Sequence, residues 1–377
     1  MTEEFAPTSE VADSTSTDSP VPTSRRRRLI RRPSFAIGDL DVTAGRSAIG
    51  ELPISRLVTG TQVSLPINVF HGRHEGPVIW LSAAVHGDEI SGVEIIRRAL
   101  AAVDPKTLAG TIVAVPIVNV HGFLNGDRYL PDRRDLNRSF PGSPNGSLAA
   151  RIANIFMREI VERCEFGIDL HTGSDHRTNL PQIRADLDDE RTRELAVAFG
   201  APLIMHAKLR DGSMRAAATA TGATVLLYEG GEAWRFDRKA IDAGVTGVIR
   251  VLHRLGMVES GAVAAPEDAT MPPPAESRAS SWVRVRRSGI ALLHVELGQI
   301  VERGEVIAPG REAGGRHLLR TRAPRSGMVI GHTQQPLVNQ GDAIIHIAEI
   351  GPPAGESTAN AGRNPTNEPA TVEGDPS

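Results

Sequence analysis

Strand-like and helical patterns alternate along residues 34–258. Short apolar runs rich in β-branched residues, which are typical of buried strands, occupy 111–118, 166–170 and 224–228. Between such runs, as in 93–100, apolar residues recur with the 3.6-residue period of a helix that buries one face. The alternation predicts an α/β domain in which helices cover both faces of one sheet.

The pattern changes in the C-terminal third of the chain. Residues 281–350 contain short β runs separated by glycines, which predicts a small all-β domain. Proline, alanine and acidic residues replace the apolar period in 259–280, the predicted linker. Residues 1–33 and 351–377 are polar and have no apolar period, so both are predicted to be disordered tails.

Composition narrows the class of protein. The net charge of the 377 residues is −3, so nothing draws the chain generally to nucleic acid or to an anionic membrane. No apolar run reaches the length of about 18 residues expected of a membrane span. The single cysteine, Cys164, indicates a reducing compartment, and no apolar segment follows the basic run 25–32 to make it an export signal. We expect a cytoplasmic protein that binds neither nucleic acid nor membrane, and homo-oligomerisation is left open.

Three side chains at the ends of apolar runs predict a metal site. His86 and Glu89 stand directly after the run 78–85, and His171 ends another run. Zinc prefers imidazole nitrogen and carboxylate oxygen, and catalytic zinc usually has three protein ligands and one position for water. The three side chains are therefore predicted to bind one zinc ion per chain. His121, which also follows a strand-like run, is the alternative histidine ligand.

Other charged residues near these runs have both functional and ordinary interpretations. Asp169, two residues before His171 on the same side of the strand, can orient that histidine or fill an ordinary buried polar role. Asp88 is predicted to cap the helix that follows it. Arg184 and Arg215 can each contact the substrate or lie at the surface, and Arg215 is the predicted substrate contact.

Hydrolysis at such a site needs a base that accepts a proton from the activated water. Glu229 follows the run 224–228 and precedes two glycines, so it is the predicted base, with Glu232 as the alternative. The polar loop 125–142 holds four arginines. Guanidinium groups stabilise the charge that develops on an attacked carbonyl and grip carboxylates in bidentate fashion.

Five motifs occur together in a specific order. They are His86-Gly87-Asp88-Glu89, Asn119, the run 135–142, Asp169-Leu170-His171-Thr172-Gly173 and Glu229-Gly230-Gly231-Glu232. With them the chain resembles, over about residues 35–350, the succinylglutamate desuccinylase/aspartoacylase family, which is related to the zinc carboxypeptidases. The resemblance implies a mixed sheet flanked by helices, followed by a barrel-sandwich β domain like that of lipoyl and biotinyl carriers. Residues 281–350 contain no lysine, which excludes covalent attachment of such a cofactor and leaves a structural, oligomerising or pocket-capping role.

The resemblance also implies roles for individual residues. It makes His86, Glu89 and His171 the zinc ligands, as their positions had already predicted. It assigns the general base to Glu229. Two further assignments concern the substrate. Its scissile carbonyl is polarised by Arg128, and its carboxylate is held by Asn137 and Arg138.

The predicted function is hydrolysis, through a zinc-activated water, of the amide bond in an N-acyl amino acid or a similar small carboxylate-bearing substrate. A metallocarboxypeptidase acting on an acidic peptide tail is an alternative, because the same zinc site and carboxylate clamp would serve a free C-terminus. A non-catalytic binding protein on the same fold is another alternative. The intact predicted ligands and Glu229 argue against it.

Overall fold

The computed structural model describes residues 32–174, 176–259, 274–315 and 318–350. Nearly all of the predicted tails, and residues 260–273 of the predicted linker, lie outside these ranges. Within them, no helix is both long and apolar enough to cross a membrane.

The described residues form six α-helices, two 3-10 turns and nineteen strands. The helices are α1 (Ser91–Ala101), α2 (Val120–Asn125), α3 (Leu148–Glu159), α4 (Glu190–Phe199), α5 (Met214–Ala220) and α6 (Arg238–Arg254), and the turns are Leu136–Arg138 and Val161–Arg163. The first ten strands are β1 (Phe35–Ile37), β2 (Leu40–Val42), β3 (Arg46–Arg56), β4 (Gln62–His71), β5 (His74–Ala83), β6 (Ala109–Val115), β7 (Phe166–Gly173), β8 (Arg177–Ala185), β9 (Leu203–His206) and β10 (Thr224–Glu232). The remaining strands are β11 (Ala275–Ser277), β12 (Ala279–Arg284), β13 (Gly289–Ala291), β14 (Ile300–Val301), β15 (Val306–Arg311), β16 (Leu318–Arg322), β17 (Gly327–Thr333), β18 (Leu337–Val338) and β19 (Ala343–Glu349).

One large mixed sheet organises the chain, with the strand order β12-β19-β17-β8-β10-β7-β5-β6-β4-β3. Its central strands β6, β5, β7 and β10 are parallel neighbours, whereas β8 runs antiparallel to β10. Parallel strands end at the same edge of a sheet, so the residues that end or follow β5, β7 and β10 meet there. The predicted mixed sheet flanked by helices is confirmed.

Both faces of the central strands are buried, which explains their continuous apolar runs. Successive side chains of a strand point to opposite faces. Ile79 and Leu81 of β5 therefore pack in one core with residues of α1, α4 and α6, while Trp80 packs in the other with residues of α3 and α5. Gly167 on the neighbouring β7 leaves room for the indole, because a Cβ there would lie 2.0 Å from Trp80 Cζ2.

The C-terminal β region, residues 274–315 and 318–350, has its own buried apolar core between two layers. One layer is the antiparallel sheet β16-β15-β13-β18, and the other contains β12, β19 and β17. The second layer is continuous with the large sheet, because β17 pairs with β8. Part of the predicted linker is also a strand, since β11 pairs with β9.

Candidate active site

The three predicted metal ligands lie together at the carboxyl edge of the parallel strands. His86 and Glu89 occupy the turn between β5 and α1, and His171 lies in β7. His86 Nδ1 is 2.8 Å from Glu89 Oε1, and His171 Nδ1 is 2.7 Å from Glu89 Oε2. The three ligand atoms lie within 4.8 Å of one another, and all three residues are buried. This donor set and spacing fit one zinc ion.

The hydrogen bonds of the two histidines support that fit. His86 Nδ1 is buried and has no hydrogen-bond partner in the described part of the chain, although it lies close to Glu89. On the other side of each ring, His86 Nε2 lies 3.1 Å from Asp135 Oδ1, and His171 Nε2 lies 2.8 Å from Asp169 Oδ2. Metal-binding histidines commonly bond a carboxylate in this way, which fixes the ring orientation.

The charges in the cluster depend on one another. Burial favours the neutral form of Glu89, but His86 and His171 hold its pKa well below the ordinary value. Burial also opposes the charged form of His171, yet Asp169 and Glu89 raise its pKa well above the ordinary value. Burial would raise the pKa of Asp135, but the hydrogen bond with His86 lowers it to about 2. The carboxylates of Glu89 and Asp135 therefore stay ionised and require nearby positive charge, which a divalent cation would also supply.

The turn that carries His86 and Glu89 packs closely against the start of α2. A Cβ at Gly87 would lie 2.1 Å from the carbonyl carbon of Gly122, so only glycine fits between the ligands without moving the backbone. Asn119 fixes the start of α2, because its side chain accepts a hydrogen bond from Gly122 N and caps this helix.

The prediction that Asp88 caps the following helix is wrong. The N-cap of α1 is Ile90, two residues later, and it makes no side-chain cap hydrogen bond. The Asp88 carboxylate is buried instead, and Oδ1 has no partner among the described residues. Burial raises its pKa.

The predicted base lies beside the metal-ligand cluster. Glu229 of β10 is directly opposite His171 in the parallel register with β7. Its Oε2 accepts a hydrogen bond of 2.6 Å from Asn179 Nδ2, and its Oε1 lies 3.6 Å from Arg184 Nε. The alternative base, Glu232, does not line the pocket described next and lies 3.8 Å from Arg235 Nε.

All eight predicted site residues line one pocket of about 540 Å³. They are His86, Glu89, Arg128, Asn137, Arg138, His171, Arg215 and Glu229. Cationic side chains dominate the lining, namely Arg128, Arg138, Arg177, Arg184, Lys208, Arg210 and Arg215. The carboxylates in the lining are those of Glu89 and Glu229. His121 lies outside the pocket, on α2, with its Nε2 3.3 Å from Ser55 Oγ.

Arg128 connects the polar loop to the metal-ligand cluster. Its Nη1 donates to Glu89 Oε1 over 2.9 Å, and its Nη2 lies 3.7 Å from Asp135 Oδ2. The guanidinium is therefore held beside the metal-ligand cluster, in the lining of the same pocket.

Asn137 and Arg215 have hydrogen-bond donors left for a ligand. Asn137 Oδ1 accepts from Met214 N over 2.8 Å, which orients the amide and leaves its N–H groups for the pocket. Arg215 is buried, and its Nη2 donates to the carbonyls of Ala207 and Lys208 over 2.9 and 2.8 Å. Its Nη1 is buried and has no partner in the described ranges, so it can bind an anion.

Arg184, for which substrate contact and a surface position were both left open, lines the pocket. Other pocket residues were not predicted from the sequence. Asn179 contacts the predicted base. Trp282 reaches the same pocket from β12. It stacks on His346 with ring centroids 4.7 Å apart and lies under the Arg177 guanidinium at 4.8 Å. No local pattern indicates these contacts. Those of Asn179 and Arg184 depend on the pairing of β8 with β10, and that of Trp282 depends on the pairing of β17 with β8.

The fold and the candidate site together are typical of a hydrolase built on a mixed α/β sheet. Comparison with known proteins points to one family. The family model described as the succinylglutamate desuccinylase/aspartoacylase catalytic domain matches residues 75–255. The chain is similar to this family over that segment, and the curated relatives that it matches are amide-bond deacylases.

Curated relatives include two kinds of deacylase. The chain is 29% identical over 333 residues to N-alpha-acetyl-L-2,4-diaminobutyric acid deacetylase of Halomonas elongata, an alignment that covers 84% of this chain and 95% of the relative. It is 30% identical over 158 residues to succinylglutamate desuccinylase of Pseudomonas aeruginosa, covering 37% of this chain and 46% of the relative.

Solved structures share the fold. A succinylglutamate desuccinylase/aspartoacylase from Rhodobacter sphaeroides superposes with a TM-score of 0.72 and 25% identity, covering 82% of this chain and 98% of that one. The product-bound ectoine utilization protein EutE (DoeB) from Ruegeria pomeroyi gives a TM-score of 0.71 at 24% identity, covering 82% and 97%. The second likeness concerns the fold alone.

Proposed function

We propose that the protein is a zinc-dependent amidohydrolase that removes the acyl group from an N-acyl amino acid or a similar small carboxylate-bearing substrate. The observation that carries the proposal is the buried cluster of His86, Glu89 and His171, which shares one pocket with Glu229 on the adjacent strand. The names of the curated relatives support it, because N-acetyl-diaminobutyrate and succinylglutamate are both N-acyl amino acids.

Each group at the reaction centre has a distinct task. One zinc ion held by His86, Glu89 and His171 would supply Lewis acidity, which polarises a carbonyl and makes water a stronger acid. Glu229 accepts the proton of the attacking water at its carboxylate and returns it to the leaving amine. Asn179 donates a hydrogen bond to Glu229 Oε2, and this bond leaves the lone pairs of Oε1 free.

The basic residues bind and orient the substrate. Arg128 stabilises the negative charge that develops on the carbonyl oxygen, as a fixed cation does in a site that excludes water. Asn137 and Arg138 hold the substrate carboxylate, and the unpartnered Nη1 of Arg215 gives a further contact for it. The excess of cations in the pocket favours a substrate that carries more than one negative charge.

The assignment of the base predicts the behaviour of Glu229→Gln. Glutamine keeps the size of the side chain but cannot accept and return a proton, so turnover should fall by at least about 100-fold. Zinc content, measured by elemental analysis, should stay near one per chain because the ligands are untouched. Glu232→Gln, at the alternative position outside the pocket, is the matched control and should retain activity. Full activity in Glu229→Gln would contradict the assignment.

The reaction itself is tested by a hydrolysis screen of the zinc-loaded protein. N-acetyl and N-succinyl amino acids should release the free amino acid, and Glu229→Gln serves as the blank. Short acidic peptides in the same screen test the carboxypeptidase alternative, which predicts release of C-terminal residues. A protein that binds no zinc and cleaves none of these compounds would instead support a non-catalytic binding role.

The proposal extends to the organisation of the chain. We propose a hydrolase domain at 34–258, a linker at 259–280 whose last residues form β11 and the start of β12, and a β domain at 281–350, in a cytoplasmic protein. Of the roles left open for the β domain, pocket capping is supported by Trp282, because this residue lines the pocket from β12.

A further inference from the structure

Asn179 contacts the proposed base from the strand beside it. It lies in β8, between β10 and β17, and is only 6% exposed. Its Nδ2 donates to Glu229 Oε2 over 2.6 Å. An ionised carboxylate only accepts hydrogen bonds, so the amide nitrogen must face it and the amide oxygen must point elsewhere.

The oxygen of that amide faces the C-terminal β region. Gly331 of β17 is directly paired with Asn179 in the antiparallel register of β17 and β8. A Cβ at Gly331 would stand 2.8 Å from Asn179 Oδ1, a distance at which one of the two atoms must move. The φ angle of Gly331 is not in the positive range that favours glycine. The position therefore requires glycine because it has no side chain, and not because of its backbone conformation.

We propose that Asn179 is a positioning residue for the base Glu229, and that Gly331 of the C-terminal β region provides the space in which Asn179 can adopt that position. The inference rests on the proposed function of Glu229. It gives the C-terminal region a part in the reaction that involves no direct contact with substrate. A strand that follows the hydrolase segment in sequence thereby sets the orientation of a carboxylate inside the pocket.

Orientation of the base has a large effect on rate. A misplacement of about 1 Å at a reacting group can cost roughly 100-fold in turnover. Glu229 has two side-chain contacts in the described residues that can fix it, the 2.6 Å hydrogen bond to Asn179 and the longer 3.6 Å approach of Arg184 Nε. The shorter contact holds the carboxylate more firmly, so loss of Asn179 should lower kcat more than it changes KM.

Asn179→Ala and Asn179→Asp test the positioning residue. Removing the donor in Asn179→Ala should lower kcat about 10-fold to 100-fold, with KM changed by less than about threefold and zinc content unchanged. Asn179→Asp keeps the shape of the side chain but places a second carboxylate against the base. Two carboxylates in hydrogen-bond contact share a proton, so the acid limb of its pH–rate profile should move to higher pH. A purely structural role for Asn179 would leave that profile in place.

Gly331→Ala tests the part played by the C-terminal region. The new methyl group would lie 2.8 Å from the end of the Asn179 side chain and 3.3 Å from the Thr178 carbonyl oxygen. The closer contact is with a side chain, so the variant should fold but displace the Asn179 amide and lower kcat about 10-fold. In an Asn179→Ala background the same change should cost nothing further, because the residue it acts through is gone. Gly314→Ala is the matched control, since a Cβ there meets nothing within 4 Å.

The decisive comparison combines kinetics with a crystal structure of Gly331→Ala. Activity is measured with N-succinyl-L-glutamate and N-acetyl-L-2,4-diaminobutyrate as probes. A wild-type protein that hydrolyses neither of these probes nor any other compound of the N-acyl amino acid screen would overturn the proposed function. In the crystal structure, a broken contact between Asn179 Nδ2 and Glu229 Oε2 supports the inference whatever the substrate. An intact contact, or an additive loss of kcat in the double variant, would overturn it.

Discussion

Each proposed histidine ligand is held by a carboxylate on the ring nitrogen that faces away from Glu89. Asp169 bonds His171 through Oδ2 and accepts from Ser82 Oγ through Oδ1, over 2.8 Å in both cases. The sequence could indicate this contact, because residues two apart in a strand share a face. Asp135 could not be assigned to His86 in the same way. The two lie 49 residues apart, and the loop that carries Asp135 has no period.

The carboxylates of Asp169 and Asp135, which contact the histidine ligands, should control metal affinity. Asp169→Asn and Asp135→Asn each keep the size of the side chain but weaken the hold on a ligand histidine, so zinc should bind about 10-fold to 100-fold more weakly. Competition with a chromophoric chelator measures this affinity directly. Asp132→Asn, an exposed position in the same loop as Asp135, should bind zinc like the wild type. Unchanged affinity in both test variants would show that the two carboxylates serve only the packing of the turn.

At the scale of elements, local pattern predicted the parallel strands but not the way the two regions join. Strands buried on both faces must be apolar throughout, so β6, β7 and β10 are visible in the sequence. The pairing of β17 with β8 depends on contacts between distant residues, such as the hydrogen bond from Gln182 to the Ile330 carbonyl, 148 residues away. Hence the sequence indicated the ligands and the base but missed Trp282, which reaches the pocket through this pairing. It also missed Asn179, which meets Glu229 through the pairing of β8 with β10.

The strands of the C-terminal β region contain a histidine that burial keeps neutral. His346 of β19 is directly paired with Trp282 of β12 and stacks on its ring. Its Nε2 lies 3.0 Å from Ser280 Oγ, and its buried Nδ1 has no partner among the residues described. Burial, and then the charges of Arg184 and Arg177, lower its pKa from 6.5 to about 3.

This shift predicts acid sensitivity. In the unfolded chain His346 has its ordinary pKa of 6.5 and binds a proton below that pH. In the folded chain it binds the proton only below about pH 3. The free energy of unfolding should therefore decrease as pH falls through this window, by about 1.4 kcal/mol per pH unit at most. His346→Gln lacks the titration, so between about pH 7 and about pH 4.5 it should lose about 2 kcal/mol less than wild type. Urea unfolding at the two pH values measures the difference, and equal losses would contradict the prediction.

At the scale of the whole molecule, charge is distributed very unevenly. The chain as a whole carries a net charge of only −3, yet cationic side chains from several elements converge on the candidate active site. Arg177 and Arg184 come from β8, Arg215 comes from α5, Arg138 ends a 3-10 turn, and loops provide the others. Such a pocket attracts anions and disfavours cations. The deacetylase of Halomonas elongata, which the alignment covers over 95% of its length, is named for a substrate that carries an amino group on its side chain.

Substrate charge should therefore decide the rate. With the wild-type protein, kcat/KM should be at least about tenfold higher for N-succinyl-L-glutamate than for N-acetyl-L-2,4-diaminobutyrate, because carboxylates in the pocket are limited to Glu89 and Glu229 among the described residues. Raising the ionic strength from about 0.1 M to about 1 M shortens the screening length from about 10 Å to about 3 Å, so the preference should shrink. N-acetyl-L-methionine, which has a single carboxylate and an uncharged side chain, is the matched control and should fall between the two. A higher kcat/KM for the diaminobutyrate compound, unaffected by salt, would mean that the cations do not select the substrate and that contacts with its uncharged part do.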